Sequence, residues 1–204
     1  MTLHRPPLSS QKITTMKLFL IALALFITGC SNPILVKRQT ELTTSQSAAW
    51  LSKIKALAKN GDWLAIRGYH ETDHLVAIAT AGDLSHVAVY DAENEEVIEA
   101  VSPRVRSLKL STFISNAHKI VLIRPKNWSE EAGIAAVTKA RSKIGVPYDF
   151  LGTVGLPSKG RFYCSELAAW SIGQKVDQVG VTKVFAPKDS PKLGEVLFDS
   201  GDRY

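Results

Sequence analysis

Cysteine is scarce in this chain: 204 residues hold two, Cys30 and Cys164. Cys30 stands at the end of an apolar leader. No disulfide framework can staple the fold, so its stability has to come from a core. A run long enough to span a bilayer is missing as well. Leu18 to Ile27 has ten apolar residues in a row, about 15 Å of helix against a hydrocarbon core of about 30 Å. There is no basic helix, no arginine-rich block and no internal repeat. The formal charge of +6 overstates how basic the chain is, because residues 1–29 carry Arg5, Lys12 and Lys17 and no acid, leaving 22 basic against 19 acidic residues beyond them. So small an excess gives no footing for a nucleic-acid partner. Paired metal-ligand spacings are absent. His70 and His74 lie four apart without the intervening glutamate of the zinc-protease motif or a clear third ligand, so neither a metal nor another cofactor is expected.

What is present begins with the leader. Lys17, the short apolar run and the small residues Thr28-Gly29 have the layout of a secretory signal over residues 1–29. Met16 is an alternative start, since residues 1–15 add nothing to that layout. Ile27-Thr-Gly-Cys30 also resembles a bacterial lipobox. That resemblance implies lipidation of Cys30, and Ser31 in place of Asp implies sorting to the outer membrane. Several acyl chains on one residue anchor stably, at about 0.8 kcal/mol per buried CH₂. The other reading is an ordinary signal peptide with a chance cysteine. Cys30 and the polar stretch to residue 46 read as anchor and tether, and 47–204 as one domain. The expectation is a periplasmic lipoprotein held to the membrane through Cys30.

In the mature part, Trp50, Leu51, Ile54, Leu57 and Ala58 share one face of a helix over 48–59. Strands are predicted over 62–67, 85–91, 96–101 and 119–124. Short helices are predicted from Thr72 to about Ala79 and over 111–117. Ser129 caps a helix over 130–144, with acids in its first turn and Lys139, Arg141 and Lys143 in its last. A last helix starts at Cys164 and runs to about Gly173. The tail from Val181, with Pro187 and Pro191, is read as wrapping the surface. Central strands flanked by helices give an α+β class with an antiparallel sheet.

Cys164 sits where a loop turns into a helix, and a thiol there feels the positive end of the helix dipole, which favours thiolate. The bland alternative is a buried cysteine acting as a small hydrophobe. A nucleophile needs a base, and the base needs an orienting group. Of five histidines, His4 is in the leader, His70 and His74 are in polar surroundings, and His118 reads as exposed. His86 starts an apolar strand, which holds a base more firmly than a loop does, although a core histidine satisfied by a carbonyl has the same look. Glu99 is an acid inside the apolar run Val97 to Val101, seldom buried without a partner. A turn near Glu93-Asn94 agrees within a residue with the centre that would set Glu99 opposite His86, so the two are candidates to meet across the hairpin. Glu95 and Glu96 read as solvated turn residues, and Glu166 as pointing elsewhere.

Six short motifs occur in order: Gly61-Asp-Trp-Leu64, Ser85-His-Val-Ala-Val-Tyr90, Ile98-Glu-Ala100, Pro147-Tyr-Asp149, Phe162-Tyr-Cys-Ser-Glu-Leu167 and Ala186-Pro-Lys-Asp189. Together they resemble the circularly permuted papain-like amidases of the NlpC superfamily, the YiiX/YaeF type, which are themselves similar to lecithin:retinol acyltransferase. The resemblance spans about residues 60–195. It implies a papain-like fold in which the histidine precedes the cysteine, with Cys164 as nucleophile, His86 as base and Glu99 as orienting residue. It places Tyr148 near the site as an oxyanion donor, the alternative being a packed aromatic. Two departures stand out: the loop between Asp149 and Cys164 is short, and Ser190 stands where the family tends to have leucine. The implied activity is thiol-dependent hydrolysis through a thioester, with cell-wall (peptidoglycan) peptide amides as the first substrate class. A lipid-directed acyltransferase or phospholipase using the same triad, or a non-catalytic binding module, are the alternatives.

Overall fold

A computed structural model describes residues 35–174 and 184–203. The leader and Cys30 lie outside the described residues. The elements are helix α1 (Glu41–Leu57), strand β1 (Trp63–Gly68), α2 (Glu71–Thr80), β2 (His86–Asp91), β3 (Glu96–Ala100), β4 (Val105–Lys109), α3 (Leu110–Ser115), β5 (Ala117–Pro125), α4 (Glu130–Arg141), α5 (Cys164–Ser171) and β6 (Gly194–Asp199). One-turn and two-turn 3₁₀ segments cover Gly152–Val154 and Pro187–Leu193.

The six strands form one sheet in the order β4-β3-β2-β1-β5-β6, every neighbouring pair antiparallel. Strand alternation sends one set of side chains to each face. Trp63, Ala65, Val87, Val89, Val121 and Ile123 meet Val137 and Ala140 of α4 and Leu167 and Ala168 of α5. Leu64, Ile66, Ala88, Tyr90, Ile120 and Leu122 meet Trp50 and Ile54 of α1 and Phe113 and Ile114 of α3. Both faces are covered, so β1 and β2 are buried along their whole lengths and read as unbroken apolar runs. Truncating a wholly buried residue such as Ile54 to alanine costs about 2–5 kcal/mol.

Several boundaries differ from the sequence reading. Helix α1 begins at Glu41, within the stretch read as tether, because the Thr40 hydroxyl accepts the Thr43 N–H at 3.1 Å and caps it there. Strand β4 was not expected, since Val105 is the one wholly buried side chain of its alternation. The tail does not merely wrap the surface: it closes the sheet as edge strand β6 beside β5. Gly61 adopts φ +80°, and a Cβ there would lie 2.8 Å from the Cα of Gly133, so glycine lets β1 enter hard against α4. Ser190 is fully buried, and its hydroxyl has no hydrogen-bond partner among the described residues. Among those residues no helix is long and apolar enough to cross a membrane.

Candidate active site

Cys164 is the first residue of α5 and is buried. Its backbone N–H falls in the first turn, where helical N–H groups have no intrahelical acceptor. The turn is tied down on both sides. The Glu166 carboxylate folds back to accept the Tyr163 N–H at 3.3 Å, which explains why it is not aimed at the thiol. Ser165 donates to the Phe185 carbonyl, and the Tyr163 hydroxyl accepts the Phe185 N–H at 3.3 Å.

His86 opens β2, at the end of the sheet, in touch with both layers. Its ring centroid lies 6.0 Å from that of Phe113 on α3, and its side chain interacts with Cys164 on α5. Its Nε2 stands 2.9 Å from Glu99 Oε2. The geometry of that contact differs from the expected one. Asp91 pairs with Glu96, Tyr90 with Val97 and Val89 with Ile98. Continuing this register sets His86 across from Val101, two places beyond Glu99. The two residues share a face and meet along the diagonal, a span their long side chains bridge. The turn does centre between Glu93 and Asn94, one residue later than a direct His86–Glu99 pairing needs.

Glu99 is 3% exposed, and both of its oxygens are engaged. The second accepts Arg106 Nε at 2.8 Å, from the neighbouring strand β4. Burial opposes the charge on Glu99, yet the His86 bond and charge, with Arg106 behind them, hold its carboxyl below the usual range. Burial likewise opposes protonation of His86, but the interactions with Cys164 and Glu99 outweigh it and hold the imidazole well above its ordinary value. The Nε2–H therefore donates to an ionised carboxylate, a charge-assisted bond inside the protein.

Cys164, His86 and Arg106 line a cleft of about 690 Å³. Tyr148 stands on one wall, placed by backbone bonds: its N–H donates to the Pro103 carbonyl at 3.0 Å, and the Asp149 N–H to the Phe162 carbonyl at 3.0 Å. Burial, then the electrostatic influence of neighbouring Cys164 and Asp149, pushes its phenol far above its ordinary value, so it stays a hydrogen-bond donor. Asp149 is buried and accepts the N–H groups of Gly152 and Ser158 at 2.9 and 2.8 Å, which folds the short loop beside the thiol. The first turns of α2 make the opposite wall. There Asp73 accepts the His70 N–H at 3.0 Å and the Ser85 hydroxyl at 2.7 Å, while Ser85 accepts the Gly68 N–H at 3.0 Å. Gly68 leaves no room for a side chain, since a Cβ would lie 2.1 Å from Asp73 Oδ2. The cleft mouth is apolar: Leu75 on α2 and Phe150 on the loop after Asp149 are 66% and 60% exposed, and Leu151, Val154 and Leu156 of the same loop are exposed too.

The structure thus brings Cys164, His86 and Tyr148 to one cleft, with Glu99 buried behind His86. His70 lines the cleft rim, while His74 and His118 are used elsewhere. His74 Nδ1 lies 3.2 Å from Arg67 Nη2, and His118 Nδ1 lies 3.3 Å from the Tyr69 hydroxyl, half-buried rather than exposed. Among the described residues no three His, Cys, Asp or Glu side chains are grouped to hold a metal ion. Two contributors escaped the sequence reading. Arg106 sits on the unexpected strand β4, and the Asp73–Ser85 link joins residues far apart in sequence. The only trace of the latter in the sequence is that Ser85 precedes His86.

Residues 59–194 match a family described as permuted papain-like amidase enzyme, YaeF/YiiX, C92 family. The crystal structure of metalloprotein yiiX from Escherichia coli O157:H7 superposes with a TM-score of 0.55 at 19% identity, covering 72% of this chain and 98% of that one. At that identity the likeness speaks to the fold, which is α+β and papain-like. No curated protein matches the chain.

Proposed function

The chain belongs to the permuted papain-like amidase family, a family of cysteine-type amidases and peptidases, and from that premise we propose that it is a thiol hydrolase working through Cys164, His86 and Glu99. The observation that supports this best is the line of contacts at the cleft floor, with His86 touching Cys164 on one side and bonded to Glu99 at 2.9 Å on the other. With Nε2 held by Glu99, the other ring nitrogen, Nδ1, is left to take the thiol proton. The sulfur then attacks the substrate carbonyl. The tetrahedral oxyanion is met by the Cys164 N–H and the Tyr148 hydroxyl, donors each worth about 2.7–4 kcal/mol. The imidazolium returns its proton to the leaving amine or alcohol as the C–N or C–O bond breaks, leaving a thioester. Water, deprotonated by His86, releases the acid and restores the thiol.

The substrate class proposed first is the peptide amide bond of the cell wall. It follows from the amidase family and from the lipobox-like Ile27-Thr-Gly-Cys30, which would tether the domain in the envelope beside that polymer. A second reading, an ester or amide of a lipid, is favoured by the exposed apolar mouth at Leu75 and Phe150. Incubation of the chain and of Cys164→Ala with muropeptides and with phospholipid vesicles separates the two. Release of peptide fragments that depends on Cys164 supports the first reading. Release of acyl chains alone replaces it with the second. No product from either, with Cys164 inert to iodoacetamide, removes the enzyme reading. Lipidation at Cys30 is checked by incorporation of an alkyne-tagged fatty acid in cells, expected to disappear in Cys30→Ala.

A further inference from the structure

We propose that Arg106 is a positioning residue of this site, clamping Glu99 so that one carboxylate oxygen stays aimed at His86. The inference rests on the reading of Cys164, His86 and Glu99 as the reacting line. Glu99 is buried and has two oxygens to satisfy. His86 from β2 takes Oε2 at 2.9 Å, and Arg106 from β4 takes Oε1 at 2.8 Å. Glu99 and Arg106 are direct cross-strand partners, the closest side-chain relation a sheet offers. Three adjacent strands therefore lay Arg106, Glu99 and His86 in one line, and α5 adds Cys164 at its end.

The clamp has a physical reason. A carboxylate bonded through one oxygen alone can swing about its terminal torsion, which is broad and roughly two-fold. Pinning the second oxygen removes that freedom and keeps the acceptor in place for the imidazole Nε2–H. The clamp also works by charge. The groups acting on Glu99 are His86 and Arg106, with Cys164 beyond His86 and the apolar ring of Phe113 on α3 beside the imidazole. Arg106 is thus the second cation beside Glu99, paired with the oxygen that His86 leaves free. Its side chain is half exposed and lines the cleft, so its loss opens Glu99 to water on the substrate side.

The test follows the rate of carbamidomethylation of Cys164 by iodoacetamide, which needs no knowledge of the substrate. It is read on the Cys164 peptide by mass spectrometry, in the full chain, between pH 4 and 8. Arg106→Ala is expected to slow labelling about tenfold near pH 5, the scale of one lost charge-assisted bond, and by less at pH 8. Without the arginine, Glu99 protonates at higher pH, so the acid limb moves to higher pH. Arg106→Lys restores part of the rate. Should Arg106→Ala fold poorly, Arg106→Gln carries the same comparison against Arg106→Lys. The proposal is overturned if the Arg106 variants, folded by near-ultraviolet circular dichroism, trace the wild-type profile while His86→Ala and Glu99→Gln slow labelling. If His86→Ala also leaves the profile unchanged, the underlying reading of the site falls, and this proposal with it.

Discussion

The β2–β3 hairpin carries a buried carboxylate bound to an arginine at each end, and the two ends do different things. At the turn, Asp91 accepts Arg141 Nε at 2.5 Å and the Asn94 N–H at 3.1 Å, while Arg141 also reaches Glu96 at 2.8 Å. Asp91 and Glu96 face each other directly across the ladder, an arrangement of like charges that the guanidinium from α4 makes tenable. At the open end, Glu99 accepts Arg106 at 2.8 Å and His86 at 2.9 Å. Burial of an acid and an arginine partner are common to both. What differs is the third member: at the turn it is asparagine, which does not titrate, and at the open end it is a histidine in touch with a thiol and a cleft. A buried carboxylate in a strand is therefore not itself a sign of chemistry. The titratable partner placed between it and a nucleophile is.

The largest effect that can break this comparison is at the open end. His86→Ala is expected to lower the rate of any Cys164-dependent turnover by about 10²–10⁴-fold, the usual contribution of a positioned general base. A loss of less than tenfold in the purified, folded variant would show that the open end is structural, like the turn. Tyr148→Phe removes one hydroxyl from the same cleft and is expected to lower turnover about 10²-fold with little change in KM. A variant as fast as wild type would return Tyr148 to the status of a packed aromatic.

At the turn the expected effect is on stability instead. Arg141→Ala leaves Asp91 buried with only Asn94 as donor. Removing one partner of a buried pair costs about 3–5 kcal/mol, and the partial exposure of Arg141 reduces that to about 2 kcal/mol. Urea unfolding measures it, and labelling of Cys164 should not change.

The smallest effect separates the ends by pH. Asp91 is held below its ordinary carboxyl value: burial raises it, but the bonds from Arg141 and Asn94 prevail. Its contribution is present above the ordinary carboxylate range and is lost as pH falls through its folded value. Glu99 behaves in the same way. His86 has the opposite sign. Its folded value is raised, so its contribution is full below the ordinary value of 6.5 and is lost as pH rises through the folded one. Stability of Arg141→Ala should therefore fall less on acidification than that of wild type, and stability of His86→Gln should fall less on the alkaline side. Parallel curves for wild type and His86→Gln above neutral pH would contradict the raised imidazole.

Much of this was legible in the chain. The helices announce themselves by their caps. Ser129 accepts the Ala132 N–H at 3.1 Å where the α4 helix was expected to start, and α5 begins at Cys164. The central strands are apolar and β-branched enough to be recognised, but their burial on both faces erases the alternation that would have shown which side chains meet which layer. Strands β4 and β6 sit at the sheet edges, with few wholly buried side chains to mark them, and were missed for that reason. His86 and Glu99 were found as out-of-place polar residues in apolar runs. Their diagonal contact was not, because a one-residue shift in the turn changes which residues stand opposite while leaving them on one face.

Taken by itself, the sequence determined the nature of the parts: a cysteine at a helix start, a histidine and a glutamate in hydrophobic strands, and an α+β order of elements. These are local properties, set by composition, capping and period. Only the tertiary structure decided that β4 runs beside β3. That pairing brings Arg106 to the far oxygen of Glu99 and, with β2 and α5, completes a line from a guanidinium to a thiol. The physical reason is that register and edge pairing depend on contacts between residues distant in sequence, and no local pattern encodes which strand will lie at whose side.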